Sequence, residues 1–207
     1  MYDVLIIGCG ITGAATAFEL SKYKLKVGIL ERENDVSQGA TKANSAILHA
    51  GYDPEPGSLM ARLNVRGVEL AKQLCEQLDV PYDQCGSFVL AFNEKDRATL
   101  EELYRRGQAN GVPDLALLTG EEARAIEPNL APEVCYALYA PSAAICSPWE
   151  YCLALAETAV RNGAQLRLEC AVTGMDGTLT TFQIEPERVT LLRVGEYTSQ
   201  MVFQEGR

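Results

Sequence analysis

Two groups of residues in this chain have the types and spacing to do chemistry. One is the hexapeptide Gly8-Cys9-Gly10-Ile11-Thr12-Gly13 with the acid Glu31; the other is a polar stretch around the single imidazole, His49. The hexapeptide is a G-x-G-x-x-G turn. Its first glycine permits a tight turn, its second lets backbone approach a pyrophosphate, and its third lets a helix pack close to a strand. A helix beginning there offers free N–H groups and the positive end of its dipole to phosphate oxygens. Glu31 stands eighteen residues after Gly13, where an acid accepts hydrogen bonds from an adenosine ribose, and Arg32 follows it. Gly8, Gly10, Ile11, Thr12, Gly13, Glu31 and Arg32 are therefore candidate contacts for an adenine dinucleotide. The competing reading is a glycine-rich turn in an ordinary α/β domain.

What weighs against that reading is the order of the elements. Val4–Ile7 is a short apolar run suited to a buried parallel strand. Ala14, Ala17, Phe18 and Leu20 then follow a helical period, and a second apolar run, Val27–Leu30, ends on Glu31. This is a βαβ unit in the order a dinucleotide needs. The second group lies in SQGATKANSAILHAGYDPEPG, which holds Thr41, Asn44, Ser45 and His49. A stretch so rich in small and hydroxyl residues suits a backbone passing close to a ligand, with donors for phosphates or ring edges. It equally suits a surface loop leading into the next helix.

Bulk properties exclude several classes. A net charge of −10 argues against a nucleic-acid groove or an anionic membrane as partner. No apolar run approaches the ~20 residues that span a bilayer, and the first apolar run lacks the basic flank of a signal peptide. Seven cysteines at 9, 75, 85, 135, 146, 152 and 170 form no C-x-x-C, and only one histidine accompanies them. No metal site is expected; reduced thiols in a cytoplasmic protein are.

Further along, Leu59, Leu63, Leu70, Leu74 and Leu78 recur near the helical period, and Pro81 ends that helix. Residues 86–92 read as a strand, and Asn93 caps a helix reaching Asn110 with Gly111 as its stop. Thr119-Gly-Glu-Glu122 is a capping box for a short helix closed by Pro128, and Ala137–Tyr139 is a short strand. Ser147-Pro-Trp-Glu150 opens a helix through Asn162, and Gln165–Thr173 follows as a strand. That last strand can lie beside the Glu31 strand, giving spatial order 3-2-1. Residues 178–184, 188–194 and 196–203 alternate and read as an antiparallel meander. The expected fold is α/β: a Rossmann-like βαβ sheet, an antiparallel β-meander, and the start of a mixed α+β domain. Residues 1–51 and 141–207 form the dinucleotide domain and 52–140 an insertion.

The N-terminal unit, GATKANSAILHAGYDPEPGSLMARLNVRG, and the run from EPNLAPEVC to ECAVTGM together resemble FAD-dependent oxidoreductases of the D-amino-acid oxidase/glycerol-3-phosphate dehydrogenase superfamily, in its L-2-hydroxyglutarate oxidase-like branch. The resemblance implies FAD as cofactor. It places the glycine turn on the pyrophosphate, Glu31 on the ribose, and Thr41, Asn44 and Ser45 along the pyrophosphate and ribityl chain. It also brings residues 47–51 past the isoalloxazine ring and the Val172 backbone against the adenine, with 52–140 beginning a substrate domain. The implied reaction removes hydride from a carbon bearing a hydroxyl or an amine. The substrate is then a 2-hydroxy acid or glycerol 3-phosphate. An amine or amino-acid oxidase and a non-catalytic nucleotide-binding remnant are the alternatives. His49 could take the substrate's hydroxyl proton, or it could only pack or hydrogen-bond near the ring. No residue specifies the electron acceptor.

Two departures from the family pattern stand out. Lys24 occupies the place of a glycine that commonly ends the first helix, which would cost ~1 kcal/mol as a lost left-handed cap. Family members also continue well past the equivalent of Arg207, so the chain is expected to be a C-terminally truncated member. A chain of that kind leaves its first strand as an apolar edge, with poor solubility and weak flavin retention expected.

Overall fold

In the computed structural model, which describes residues 2–174, 180–184 and 187–191, the chain begins β1 (Val4–Ile7), α1 (Ile11–Leu20), β2 (Val27–Leu30), β3 (Ile47–Leu48), α2 (Leu59–Gln77) and β4 (Tyr82–Asp83). It continues β5 (Ser87–Ala91), α3 (Glu94–Asn110), β6 (Ala116–Thr119), α4 (Gly120–Ile126), β7 (Tyr136–Ala140) and β8 (Ala144–Cys146). The last described elements are α5 (Pro148–Arg161), β9 (Gln165–Arg167), β10 (Thr180–Ile184) and β11 (Glu187–Leu191). Two units result: the described parts of Met1–Asn44 with Pro148–Arg207, and Ser45–Ser147.

The first unit is built on a parallel sheet in the order β1-β2-β9, the expected 3-2-1. All four residues of β2 are buried, as its central place requires, while β1 is an edge among the described residues with Val4, Leu5 and Ile7 half-buried. Small residues make close packing of α1 on α5 possible: Ala14 and Ala17 on one, Cys152, Ala156 and Ala159 on the other, all buried. The third strand is shorter than expected. It leaves the ladder after Arg167 because Glu169 takes a left-handed conformation (φ 53°), from which its N–H reaches the Glu33 carbonyl. Helix α1 also ends sooner than expected. Its last carbonyls are met at Ser21, whose N–H bonds Ala17 O at 2.8 Å and whose hydroxyl bonds Phe18 O at 2.7 Å. Lys24 is not among the residues at positive φ, so no left-handed cap is needed there. Strands β10 and β11 pair antiparallel, Thr180 opposite Leu191, as the first two strands of the expected meander. Its third strand, 196–203, lies outside the described residues.

The second unit is antiparallel throughout. One sheet runs β5-β7-β6 and is backed by α3, with Ala91, Leu100 and Leu138 at its core. The other runs β3-β8-β4. The pairing of Ile47 with Ile145 ties residues near 47 and 145 to this unit, so the divisions fall at 44/45 and 147/148 rather than at the expected 51/52 and 140/141. The helix signals hold in detail. Asn93 accepts from Asp96 N–H at 3.0 Å, Gly111 closes α3 in the left-handed region, and Thr119 with Glu122 forms the reciprocal capping box of α4. The leucines of α2 lie otherwise. Leu59 and Leu63 are 62% and 61% exposed, and the buried residues of the helix are Ala61, Ala71 and Cys75. No described helix is long and apolar enough to cross a membrane.

Candidate functional site

The glycine turn joins β1 to α1 as tightly as backbone allows. Gly8 sits at φ 91°, and its N–H bonds Leu30 O at 2.7 Å. A Cβ on Gly13 would lie 2.0 Å from the Gly8 carbonyl oxygen, so the first turn of α1 rests directly on the strand end. Gly10 is the N-cap of α1 and has no side chain to cap with. Thr41 supplies the cap from a distance: its hydroxyl accepts the Ile11 N–H at 3.0 Å. The N–H groups of Thr12 and Gly13 precede the helix's own ladder, and both residues line an open cleft of about 380 Å³. Gly8, Gly10, Ile11, Thr41 and Asn44 line the same cleft, so seven of the expected residues converge there.

Behind the cleft, the Cys9 peptide is held on both sides. Its N–H donates to Glu31 Oε2 at 2.6 Å, and its carbonyl accepts from Ser37 N–H at 3.0 Å and from the Cys152 thiol at 3.5 Å. Glu31 is only 8% exposed, and the other oxygen of its carboxylate accepts Glu33 N–H at 3.0 Å. Charge-assisted bonds of this kind orient a carboxylate while each oxygen keeps a lone pair for a ligand hydroxyl. Burial pushes the Cys9 thiol up to about 12, with Cys152, Glu31 and Asp35 adding to it. Burial likewise pushes Cys152 up to about 11, opposed by the Ser37 hydroxyl and reinforced by Glu31 and Asp35. Both thiols therefore stay neutral and add no negative charge beneath the cleft.

The remaining candidates sit differently. Asn44 braces its own loop, donating to Thr41 O at 2.7 Å and Ala40 O at 3.2 Å. Arg32 is exposed and pairs with Glu33 at 3.0 Å. Val172 is buried with Leu30 and Cys170. Ser45 and His49 are exposed residues of the second unit, on either side of β3. Sequence reasoning missed Ile7 and Ala40 in the cleft lining, and Ser37 and Cys152 behind it. Ser37 is fully buried at φ 64°, an unusual conformation for a serine that no sequence signal announces. The place of Cys152 on the buried face of α5 could have been read from helical spacing, but its facing Cys9 could not.

These features fit the adenosine and pyrophosphate part of FAD. The close approach at Gly13, the exposed helix N–H groups and the pre-oriented Glu31 carboxylate are each what that ligand requires. Comparisons with known proteins agree. The DAO family model, described as FAD dependent oxidoreductase, matches residues 3–193. A glycerol 3-phosphate dehydrogenase of Caloramator mitchellensis is 47% identical over 176 residues, covering 85% of this chain and 37% of that protein. A mitochondrial L-2-hydroxyglutarate dehydrogenase of Nematostella vectensis is 36% identical, covering 80% of this chain and 36% of its own length. The FAD-bound structure of L-alpha-glycerophosphate oxidase from Mycoplasma pneumoniae superimposes with a TM-score of 0.84 at 32% identity, over 92% of this chain and 52% of that one. The chain thus spans about half or less of the length of these relatives. It belongs to the family of FAD dependent oxidoreductases.

Proposed function

We propose that this chain carries the cofactor-holding part of an oxidoreductase that removes hydride from a hydroxyl-bearing carbon of glycerol 3-phosphate or a 2-hydroxy acid. The observation that carries the reading is the pre-formed cleft at Gly8–Gly13, with Glu31 already oriented behind it. In this reading Gly8, Gly10, Ile11, Thr12 and Gly13 hold the pyrophosphate by backbone, and Thr41, Asn44 and Ser45 extend that contact. Glu31 binds the ribose, Arg32 lies at its rim, and the Val172 backbone meets the adenine. The first unit is then the FAD domain, and Ser45–Ser147 opens the substrate domain. Bound FAD supplies a two-electron acceptor for hydride. His49 takes the proton of the substrate hydroxyl, leaving a carbonyl product; its exposure and its being the sole imidazole support that role. The seven free thiols support a reducing, cytoplasmic setting.

The test is anaerobic titration of the FAD-loaded protein with glycerol 3-phosphate, L-2-hydroxyglutarate and a panel of amino acids, following loss of flavin absorbance. Bleaching by either hydroxy compound is the expected result. Bleaching by an amino acid alone would make it an amine-oxidising member instead. Failure to retain any FAD on reconstitution would reduce it to a nucleotide-binding remnant.

A further inference from the structure

The backbone just after His49 is held in place from α3 by two side chains: Arg106 donates to Asp53 O at 3.4 Å and pairs with Glu55 at 3.0 Å, and Asn110 reaches closer to His49. Asn110, in the last turn of that helix, donates one amide hydrogen to Gly51 O at 2.9 Å and the other to Pro54 O at 2.8 Å. These bonds span 59 and 56 residues of sequence. The segment they hold has few donors of its own, since Pro54 and Pro56 lack an N–H. It is also closely packed where it begins. Ala50 is 2% exposed, and Gly51 is buried at φ 107°, where a Cβ would lie 2.6 Å from Val65 Cγ2. One turn earlier on α3, Gly107 leaves room for Tyr52: a Cβ there would come within 2.9 Å of Tyr52 Cβ. His49, by contrast, is exposed. The chain therefore alternates from a presented imidazole to an anchored Ala50-Gly51 pair.

The remaining polar atom of Asn110 is informative. Its Oδ1 is buried with no hydrogen-bond partner, which costs free energy. An asparagine kept there at that cost serves through its two donors. We propose that Asn110 is a positioning residue for His49, fixing through Gly51 and Pro54 the height at which the imidazole is presented. The inference rests on the reading of His49 as proton acceptor given above. Arg106 grips only Asp53 and Glu55, so loss of both Asn110 donors frees the backbone at Gly51 by an ångström or so, a displacement that costs between about 10- and 100-fold in a step depending on placement.

The experiment is a double-mutant cycle in the FAD-loaded protein: Asn110→Ala, His49→Gln and the pair, with Asn110→Asp as an isosteric second variant. Asn93→Ala, at the other end of α3, controls for general loss of helix stability. The readouts are amide exchange over residues 49–55 and the pH profile of flavin reduction by whichever hydroxy compound bleaches the flavin. Asn110→Ala is expected to speed exchange at 49–55 at least about 10-fold and to slow reduction. It is expected to have no further effect on reduction in the His49→Gln background. Unchanged exchange and reduction in Asn110→Ala or Asn110→Asp would overturn the inference, as would full additivity with His49→Gln. A slow His49→Gln beside a normal Asn110→Ala overturns this inference alone, whereas a His49→Gln that reduces the flavin at the unsubstituted rate overturns the proton-acceptor reading and this one with it.

Discussion

The glycine-turn unit and the Ser45–Ser147 unit are stabilised in different ways. In the first, several groups converge on one tight turn: the Glu31 carboxylate, the Ser37 N–H and the Cys152 thiol all hold Cys9 backbone, and Gly13 touches the Gly8 carbonyl. In the second, side chains grip backbone across long loops, as Asn110 does at Gly51, and α2 presents Leu59, Met60 and Leu63 to solvent. A glycine motif states a requirement of backbone geometry that must be met locally. A leucine period states only that a helix has an apolar face, not what lies against it. The first unit therefore tolerates almost no change at the turn, whereas the second tolerates change wherever no tether passes.

The largest effect that would sharpen this contrast is expected from Gly13→Ala. Overpacking against a backbone carbonyl costs about 3 kcal/mol. It should lower Tm by several degrees and abolish FAD retention, read as flavin absorbance after purification. A variant that still bound FAD normally would break the claim that the turn has no slack. Next comes Glu31→Gln, which removes the charge from the bond to Cys9 N–H. FAD affinity in a fluorescence titration should fall about 10-fold or more, equivalent to roughly 1.5–3 kcal/mol.

Alkaline pH probes the layer beneath the turn. The Cys9 and Cys152 thiols titrate near 12 and 11 in the folded chain against an ordinary 9.0. The unfolded chain loses these protons first. Their contribution is therefore complete below pH 9 and is lost as pH rises toward 11 and 12. Each thiol adds a slope of up to about 1.4 kcal/mol per pH unit. Urea unfolding across that range should show the decline, and Cys152→Ser should make it shallower; a flat profile would mean the thiols are not shielded in solution.

Smaller effects belong to the second unit. Thr119→Ala breaks the capping box of α4 and should cost about 1 kcal/mol with flavin content unchanged. Gly67→Ala, in mid-α2 with nothing within 4 Å of its would-be Cβ, should stabilise by about 0.5–1 kcal/mol. Loss of stability there would show that this helix face is more crowded than the structure indicates.

Much of this was legible in the residues. The bounds of β1 and β2, the cap at Asn93, the capping box at Thr119 and the parallel order of three strands all follow from short-range rules, because turn and cap chemistry acts within a few residues. The short strands β3, β4, β6 and β8 were not legible. Runs of two to four residues are told from loop only where a motif flanks them, as the glycine turn and Glu31 flank β1 and β2; no motif of that kind flanks these, and their pairing joins segments as distant as Ile47 and Ile145. Thr41 was expected near the pyrophosphate, but its work as the cap of α1 depends on a contact across thirty residues. Ser37 carried no signal, and the spacing of Cys152 marks only a buried helix face, as for any residue of an ordinary core, not its contact with Cys9.

The sequence by itself determined where the backbone must turn and where a helix must start, since glycine, proline and capping residues act on their own neighbours. It determined too that a dinucleotide-type βαβ unit opens the chain. Only the tertiary structure decided which side chains hold that unit's turn in place, which face of α2 is buried, and that Asn110 tethers the loop after His49. Those are contacts between residues far apart in sequence, chosen by how the elements pack, and no local pattern encodes them.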